Sequence, residues 1–267
     1  MGDNMKKGKH FNGKLKNKKV ILIILVFIIS VIILLLKLYN KNTIQDDEEL
    51  QDILNDNSEI ENIVTEAEVP TKTDRMIKLE ELQKENSDIV AWLEIPNSNI
   101  SYPVLQGKDN SYYMTHNYKK EYSIHGSLFL DKDYNWDIPS TNLLIYGHNN
   151  RGSSEMFVGL MDYKEESYYN AHKTIRFTTN QEDAEYEIIS VFLSRVYYKS
   201  EKNVFRYYYF INAENEQEFN EYVQNSKKAS LYNIEATATY GDQLLTLSTC
   251  EFSQEDGRLA IVARKIK

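Results

Sequence analysis

The run "LLTLSTCEFSQEDGRLAIVARKI", Leu244 to Ile266, contains the only cysteine of the chain, Cys250. An apolar stretch ends at Cys250, a polar stretch follows, and a β-branched, apolar stretch opens at Arg258. Gly257 stands just before the arginine. This pattern predicts two antiparallel strands joined by a short loop, with Cys250 closing the first and Arg258 opening the second. Pairing of those strands would hold a guanidinium near a thiol. A lone cysteine cannot form an internal disulfide. It is then either a small buried hydrophobe or a nucleophile.

Upstream, the same strand character recurs. Residues 89–95 (IVAWLEI), 126–131 (GSLFLD), 142–147 (NLLIYG), 173–179 (KTIRFTT) and 184–198 (AEYEIISVFLSRVYY) read as strands rich in β-branched and aromatic residues. The stretch 100–106 (ISYPVLQ) contains Pro103, which predicts an edge or irregular strand. Helices are expected over 73–88 with Thr73 or Asp74 as cap, in "SEMFVGLMDY" and "SYYNAH", and over 214–230 with Phe219, Tyr222 and Val223 on one face. Many strands with few helices, spaced as hairpins, point to a mainly β barrel or sandwich with helical insertions.

The N-terminal part differs in character. Residues 1–19 carry seven lysines against Asp3 and read as a basic cytoplasmic tail. Residues 20–36, "VILIILVFIISVIILLL", are uncharged, and Leu38 and Tyr39 extend them past a snorkelling Lys37. The run 20–38 is expected to span a membrane as a signal-anchor, because no small-residue cleavage site follows and the lysines precede it. Residues 39–69 are expected to form an extracellular stalk; ten acids and no base lie between Ile44 and Val69. The globular domain is expected from Pro70 to Lys267. The net charge of −9 argues against nucleic acid as a partner, since such binders need basic surface.

A thiol nucleophile needs a base or a neighbouring positive group. His148 follows the apolar run "NLLIYG" directly, so it too sits at a strand end. If the two strand ends share a rim, imidazole meets thiol. Arg258 could stabilise the thiolate or an oxyanion. The plainer alternatives are a strand-end histidine without function and a surface salt bridge from Arg258 to Glu255 or Asp256.

"TLSTC" followed closely by "GRLAIVARKI", with "LLIYGH" at 143–148, resembles the sortases, membrane-anchored cysteine transpeptidases of Gram-positive bacteria. "VAWLEIPNSNISYPVLQGKDNSYYMTHNY" and "GSLFLD" are most similar to the class B branch. The resemblance covers nearly all of 70–267 and implies a closed β-barrel with helical insertions. It also implies Cys250 as nucleophile, His148 as catalytic histidine and Arg258 as catalytic arginine. Tyr146, Ser248 and Glu251 match groove-lining positions. Asn110 and Met114 match positions near the sorting-signal pocket, where Met114 replaces a usual leucine. The cysteine-to-arginine loop is slightly short for the class. The implied reaction cleaves a C-terminal sorting signal of surface proteins through a thioacyl intermediate and joins them to an amine of the peptidoglycan precursor. No cofactor is implied.

Other readings use the same residues. A secreted cysteine protease would share thiol and imidazole but would not need Arg258. A wall-associated β domain could carry a spare buried cysteine. A pilus-polymerising sortase would be expected to carry a lid loop and a second membrane span, and here Lys267 follows the last strand. "DKDYNWD" (131–137) has the alternating spacing of a calcium loop. Trp136 stands where glycine is needed and Asn142 where glutamate is needed, so no metal is expected.

Overall fold

The computed structural model describes residues 28–34 and 72–267. The chain divides into two units, Met1–Asp52 and Ile53–Lys267. In the first, residues 28–34 are helical (α1), with Ile28, Ile29, Val31, Ile32, Ile33 and Leu34 exposed. Among the described residues no helix is long and apolar enough to cross a membrane. The rest of the anticipated 20–38 span, the basic tail and the stalk over 39–69 lie outside the described residues.

The second unit begins with α2 (Asp74–Glu85), capped by the Thr73 side chain, which accepts from the Met76 N–H. Its buried residues, Met76, Leu79 and Leu82, recur at the spacing of one helical face and pack it on the sheet. Eight strands follow: β1 (Ile89–Glu94), β2 (Ser101–Leu105), β3 (Leu128–Leu130), β4 (Asn142–Tyr146), β5 (Thr174–Thr178), β6 (Asp183–Arg195), β7 (Leu244–Cys250) and β8 (Gly257–Lys265). They close into a barrel in the order β1-β2-β3-β4-β7-β8-β6-β5. Short helices α3 (Glu166–Ala171) and α4 (Glu216–Ala229) complete the unit. Of the two helices expected between β4 and β5, the second is α3, whereas "SEMFVGLMDY" holds only a 3-10 turn, Val158–Lys164.

Two features refine the sequence expectation. The strands are spaced as hairpins in sequence, yet β2–β3 and β4–β7 pair in parallel. And of the two alternatives for β2 it is the irregular one that holds: a closed barrel has no edge, but the pairing of β2 with β1 shifts register between Ile89 and Ala91. It tolerates Pro103 for a local reason. The Ile95 N–H bonds to the Ile100 carbonyl, so alternate residues of the hairpin face each other with hydrogen bonds and Pro103, opposite Trp92, does not. On its other side, pairing with β3 begins only at Val104. The missing N–H is therefore not missed.

Strand β7 is buried on both faces, which explains its composition. Leu245 and Leu247 point into the barrel core with Leu143, Ile145, Leu259 and Ile261. The alternate residues face outward beneath α4. There Leu244 joins Leu144, Phe192, Phe219, Tyr222, Val223, Ala260 and Val262 in a second apolar cluster. Thr246 and Ser248 lie on this outer face and each is paired. The Thr246 hydroxyl donates to Asn142 Oδ1 (2.8 Å) and lies 2.9 Å from the Tyr222 hydroxyl. The Ser248 hydroxyl lies 2.7 Å from that of Tyr207. Buried hydroxyls in a dry layer need such partners, at a cost of about 1–3 kcal/mol each if orphaned. α4 is built to cover this face. Phe219, Tyr222, Val223 and Ser226 are buried, and Asn215 caps it by accepting from the Glu218 N–H.

Candidate active site

The outward-facing residues of β4, β7 and β8 run past the edge of α4 into an open groove. The β4–β7 register pairs Tyr146 with Ser248. Two residues beyond that pair come His148, just past the end of β4, and Cys250, the last residue of β7. The β7–β8 register pairs Cys250 directly with Arg258. Imidazole, thiol and guanidinium thus arise from three adjacent chain segments on one rim.

Hydrogen bonds beyond the strands stitch this rim together. The Thr249 hydroxyl donates to the Gly147 carbonyl (2.8 Å), and the Asn149 carboxamide donates to the Cys250 carbonyl (2.9 Å). The Gly147 N–H donates to the Ser248 carbonyl (3.2 Å), and the Phe157 N–H to the His148 carbonyl (2.9 Å). Gly147 is required by packing: a Cβ there would stand 2.4 Å from Leu128 Cδ2 and 2.6 Å from Phe157 Cδ2. On the other flank, the Glu251 N–H bonds to the Gly257 carbonyl and closes the loop between β7 and β8. Arg258 Nη1 donates to the Gly257 carbonyl (2.8 Å) and the Asp256 carbonyl (3.3 Å), which fixes one end of its planar fork. His148 Nε2 donates to the Met114 carbonyl at 2.7 Å. A carbonyl only accepts, so Nε2 carries a proton and Nδ1 is the basic nitrogen of the neutral ring.

A cavity of about 270 Å³ opens over these groups. Its wall includes His148, Cys250 and Arg258 together with Tyr146, Ser248, Asn110 and Met114. Glu251 does not line it. The Glu251 side chain is buried, bonded to Lys164 and to the Ser253 hydroxyl (2.6 Å) and N–H (2.9 Å). Burial alone would raise its pKa, but the donors from Lys164 and Ser253 outweigh that and hold it at about 2.

Sequence reasoning could not resolve the groove-facing part of the segment before α4. Val196, Tyr207 and Tyr208 form this wall. Tyr207 is fully enclosed between Ser248 and Phe192. Burial pushes its hydroxyl up to about 12, so it serves as a neutral strut. Tyr208 accepts from the Tyr197 N–H (2.9 Å). The aromatic run at 207–210 was the available signal, but its placement over β7 is a tertiary fact. In the 131–137 loop, Asn135 Oδ1 accepts from the Asp137 N–H (2.9 Å) and Ile138 N–H (3.2 Å). Among the described residues no group of three or more His, Cys, Asp or Glu side chains is gathered as metal ligands would be.

A sortase domain model matches residues 93–266. The chain is 35% identical over 191 residues to sortase B of Listeria monocytogenes, covering 71% of this chain and 74% of that one. It is 32% identical over 192 residues to sortase B of Staphylococcus aureus, covering 71% and 75%. A solved Staphylococcus aureus sortase B–substrate complex superposes with a TM-score of 0.63 at 30% identity, over 72% of this chain and 86% of that one. The barrel, its groove and these likenesses agree on one conclusion: the chain belongs to the sortase family, is most like its class B members, and is a cysteine transpeptidase.

Proposed function

We propose that this enzyme cleaves a C-terminal sorting signal of surface proteins at the Cys250 thiol and transfers them to an amine of the peptidoglycan precursor. The observation that carries this reading is the double register at β7. Parallel pairing of Tyr146 with Ser248 leads into His148 and Cys250, antiparallel pairing sets Arg258 opposite Cys250, and all three line one cavity.

The chemistry follows from what each group can do. The Cys250 thiolate attacks the scissile carbonyl, and its electron pair forms the C–S bond. The carbonyl oxygen becomes an oxyanion, which the free side of the Arg258 fork stabilises. On collapse of this intermediate the C–N bond breaks. Protonated His148 gives its proton to the departing amine, leaving a thioester on Cys250. The incoming amine then attacks the thioester carbonyl, neutral His148 takes its proton, and the thiolate leaves. Tyr146, Ser248, Asn110 and Met114 lie where the peptide would run, whereas Glu251 lies outside the groove.

The remaining proposals concern placement. Residues 20–38 form a single membrane span, with 1–19 cytoplasmic, 39–69 as an acidic extracellular stalk and 70–267 as the catalytic domain outside the cell. Support comes from the uncharged run behind a lysine cluster and from the cap of α2 at Thr73.

One experiment tests the catalytic reading. The purified protein is incubated with a library of sorting-signal-like peptides, with and without an added amine. The expected products are a peptide thioester on Cys250 and, with amine, a new amide; Cys250→Ala forms neither. Hydrolysis unaffected by amine would instead identify a cysteine protease.

A further inference from the structure

One buried acid stands directly behind the groove. Asp131 follows β3 and is 4% exposed. It is not part of the cavity wall, yet it holds two residues that are. Its Oδ2 accepts from the Asn110 carboxamide (2.8 Å) and from the Tyr146 hydroxyl (3.0 Å). Its Oδ1 accepts from the Asp133 N–H (2.9 Å). Its backbone is fixed as well, by its N–H to the Leu144 carbonyl (2.8 Å) and by Gln106 Nε2 to its own carbonyl (3.1 Å). The Asn110 carboxamide is gripped at both ends, because its Oδ1 accepts from the Lys132 N–H (2.8 Å). It therefore cannot flip without losing two bonds.

The consequence for Tyr146 is directional. Burial, with the Asp131 carboxylate beside it, pushes the hydroxyl well above its ordinary pKa, so it stays protonated. A tyrosine has one hydroxyl proton, and here that proton is given to Asp131. With that proton committed, the hydroxyl oxygen of Tyr146, a residue of the cavity wall, can only accept from any other group.

We propose that Asp131 is the positioning residue of the substrate groove: its carboxylate, beyond reach of the ligand, locks the Asn110 carboxamide and sets Tyr146 to accept a hydrogen bond from an amide N–H of the bound peptide. This rests on the sorting-peptide reading above. Asn110 and Tyr146 come from segments far apart in sequence, and the shared carboxylate oxygen couples them. Asp131 thus governs peptide binding and leaves thiol reactivity alone.

The test uses the purified full-length protein and the library peptide that acylates it fastest. Asp131→Asn replaces an acceptor-only group by one that must point an NH₂ at a donor. The expected result is a rise in KM of about tenfold, with kcat changed less than about threefold. The rate at which iodoacetamide alkylates Cys250 is expected to stay at the wild-type value. Combining Asp131→Asn with Tyr146→Phe is expected to cost less than the product of the two single effects, because both break the same bond. If Asp131→Asn does not fold cooperatively, the cycle of Asn110→Ala with Tyr146→Phe decides by the same criterion. An unchanged KM, multiplicative effects, or a parallel fall in alkylation rate would each overturn the assignment. A wild-type protein that forms no peptide thioester would overturn the sorting-peptide reading, a result distinct from any of these.

Discussion

Replacing Lys164 by methionine removes the cation that faces the buried Glu251 while keeping most of the side chain's length. Glu251 is 4% exposed and Lys164 36%, so the pair is half in water. The carboxyl lies at about 2 in the folded chain against an ordinary 4.5. At ~1.4 kcal/mol per pH unit, that difference is a net effect of about 3 kcal/mol, left after Lys164 and Ser253 have offset the opposing effect of burial. Ser253 supplies two of the donors, and solvent screens the exposed ammonium, so Lys164 contributes about 1–2 kcal/mol. The sign follows from the direction of the shift. A depressed carboxyl binds fewer protons folded than unfolded, so its stabilisation is full above pH 4.5 and is lost as pH falls toward 2. Urea denaturation of wild type and Lys164→Met at neutral pH should therefore differ by about 1–2 kcal/mol, and the gap should close as pH falls from about 4.5 to 2. It should also narrow in high salt. A gap that persists unchanged at low pH would mean that lysine's methylenes, not its charge, do the stabilising. No gap at neutral pH would refute the ion-pair argument outright.

Gly147→Ala should destabilise the protein by about 1–3 kcal/mol, because the new methyl collides with Leu128 and Phe157. It should also slow acylation, since the residue adjoins His148; thermal melting and single-turnover rates check both. Tyr207→Phe should cost about 1–2 kcal/mol by orphaning the buried Ser248 hydroxyl, measured by urea denaturation. Arg258→Lys keeps the charge but loses the fork whose Nη1 is tied to the Gly257 carbonyl, so acylation should fall by about 100-fold. A near-normal rate in that variant would reduce Arg258 to a surface charge.

The sequence alone carried the strands, because alternation and β-branched content are local signals. It carried α4 through the spacing of Phe219, Tyr222 and Val223, and α2 through its Thr73 cap. It placed Cys250, His148 and Arg258 at strand ends, and a short polar loop implied the Cys250–Arg258 pairing. What it left open was whether His148 and Cys250 share a rim. That depends on β4 and β7 being parallel neighbours, although about a hundred residues separate them. Nothing local encodes a parallel pairing at that distance; it follows from closing the whole barrel. For the same reason Pro103 left an edge and an irregular strand as alternatives, and only closure of the barrel removed the edge. Glu251 adjoins the nucleophile in sequence, yet its side chain turns to Lys164, 87 residues away. The aromatic run around Tyr207 and the patterns that include Asp131 were visible in the sequence, but not their roles, since a strut and an anchoring carboxylate are defined only by the side chains that surround them in three dimensions.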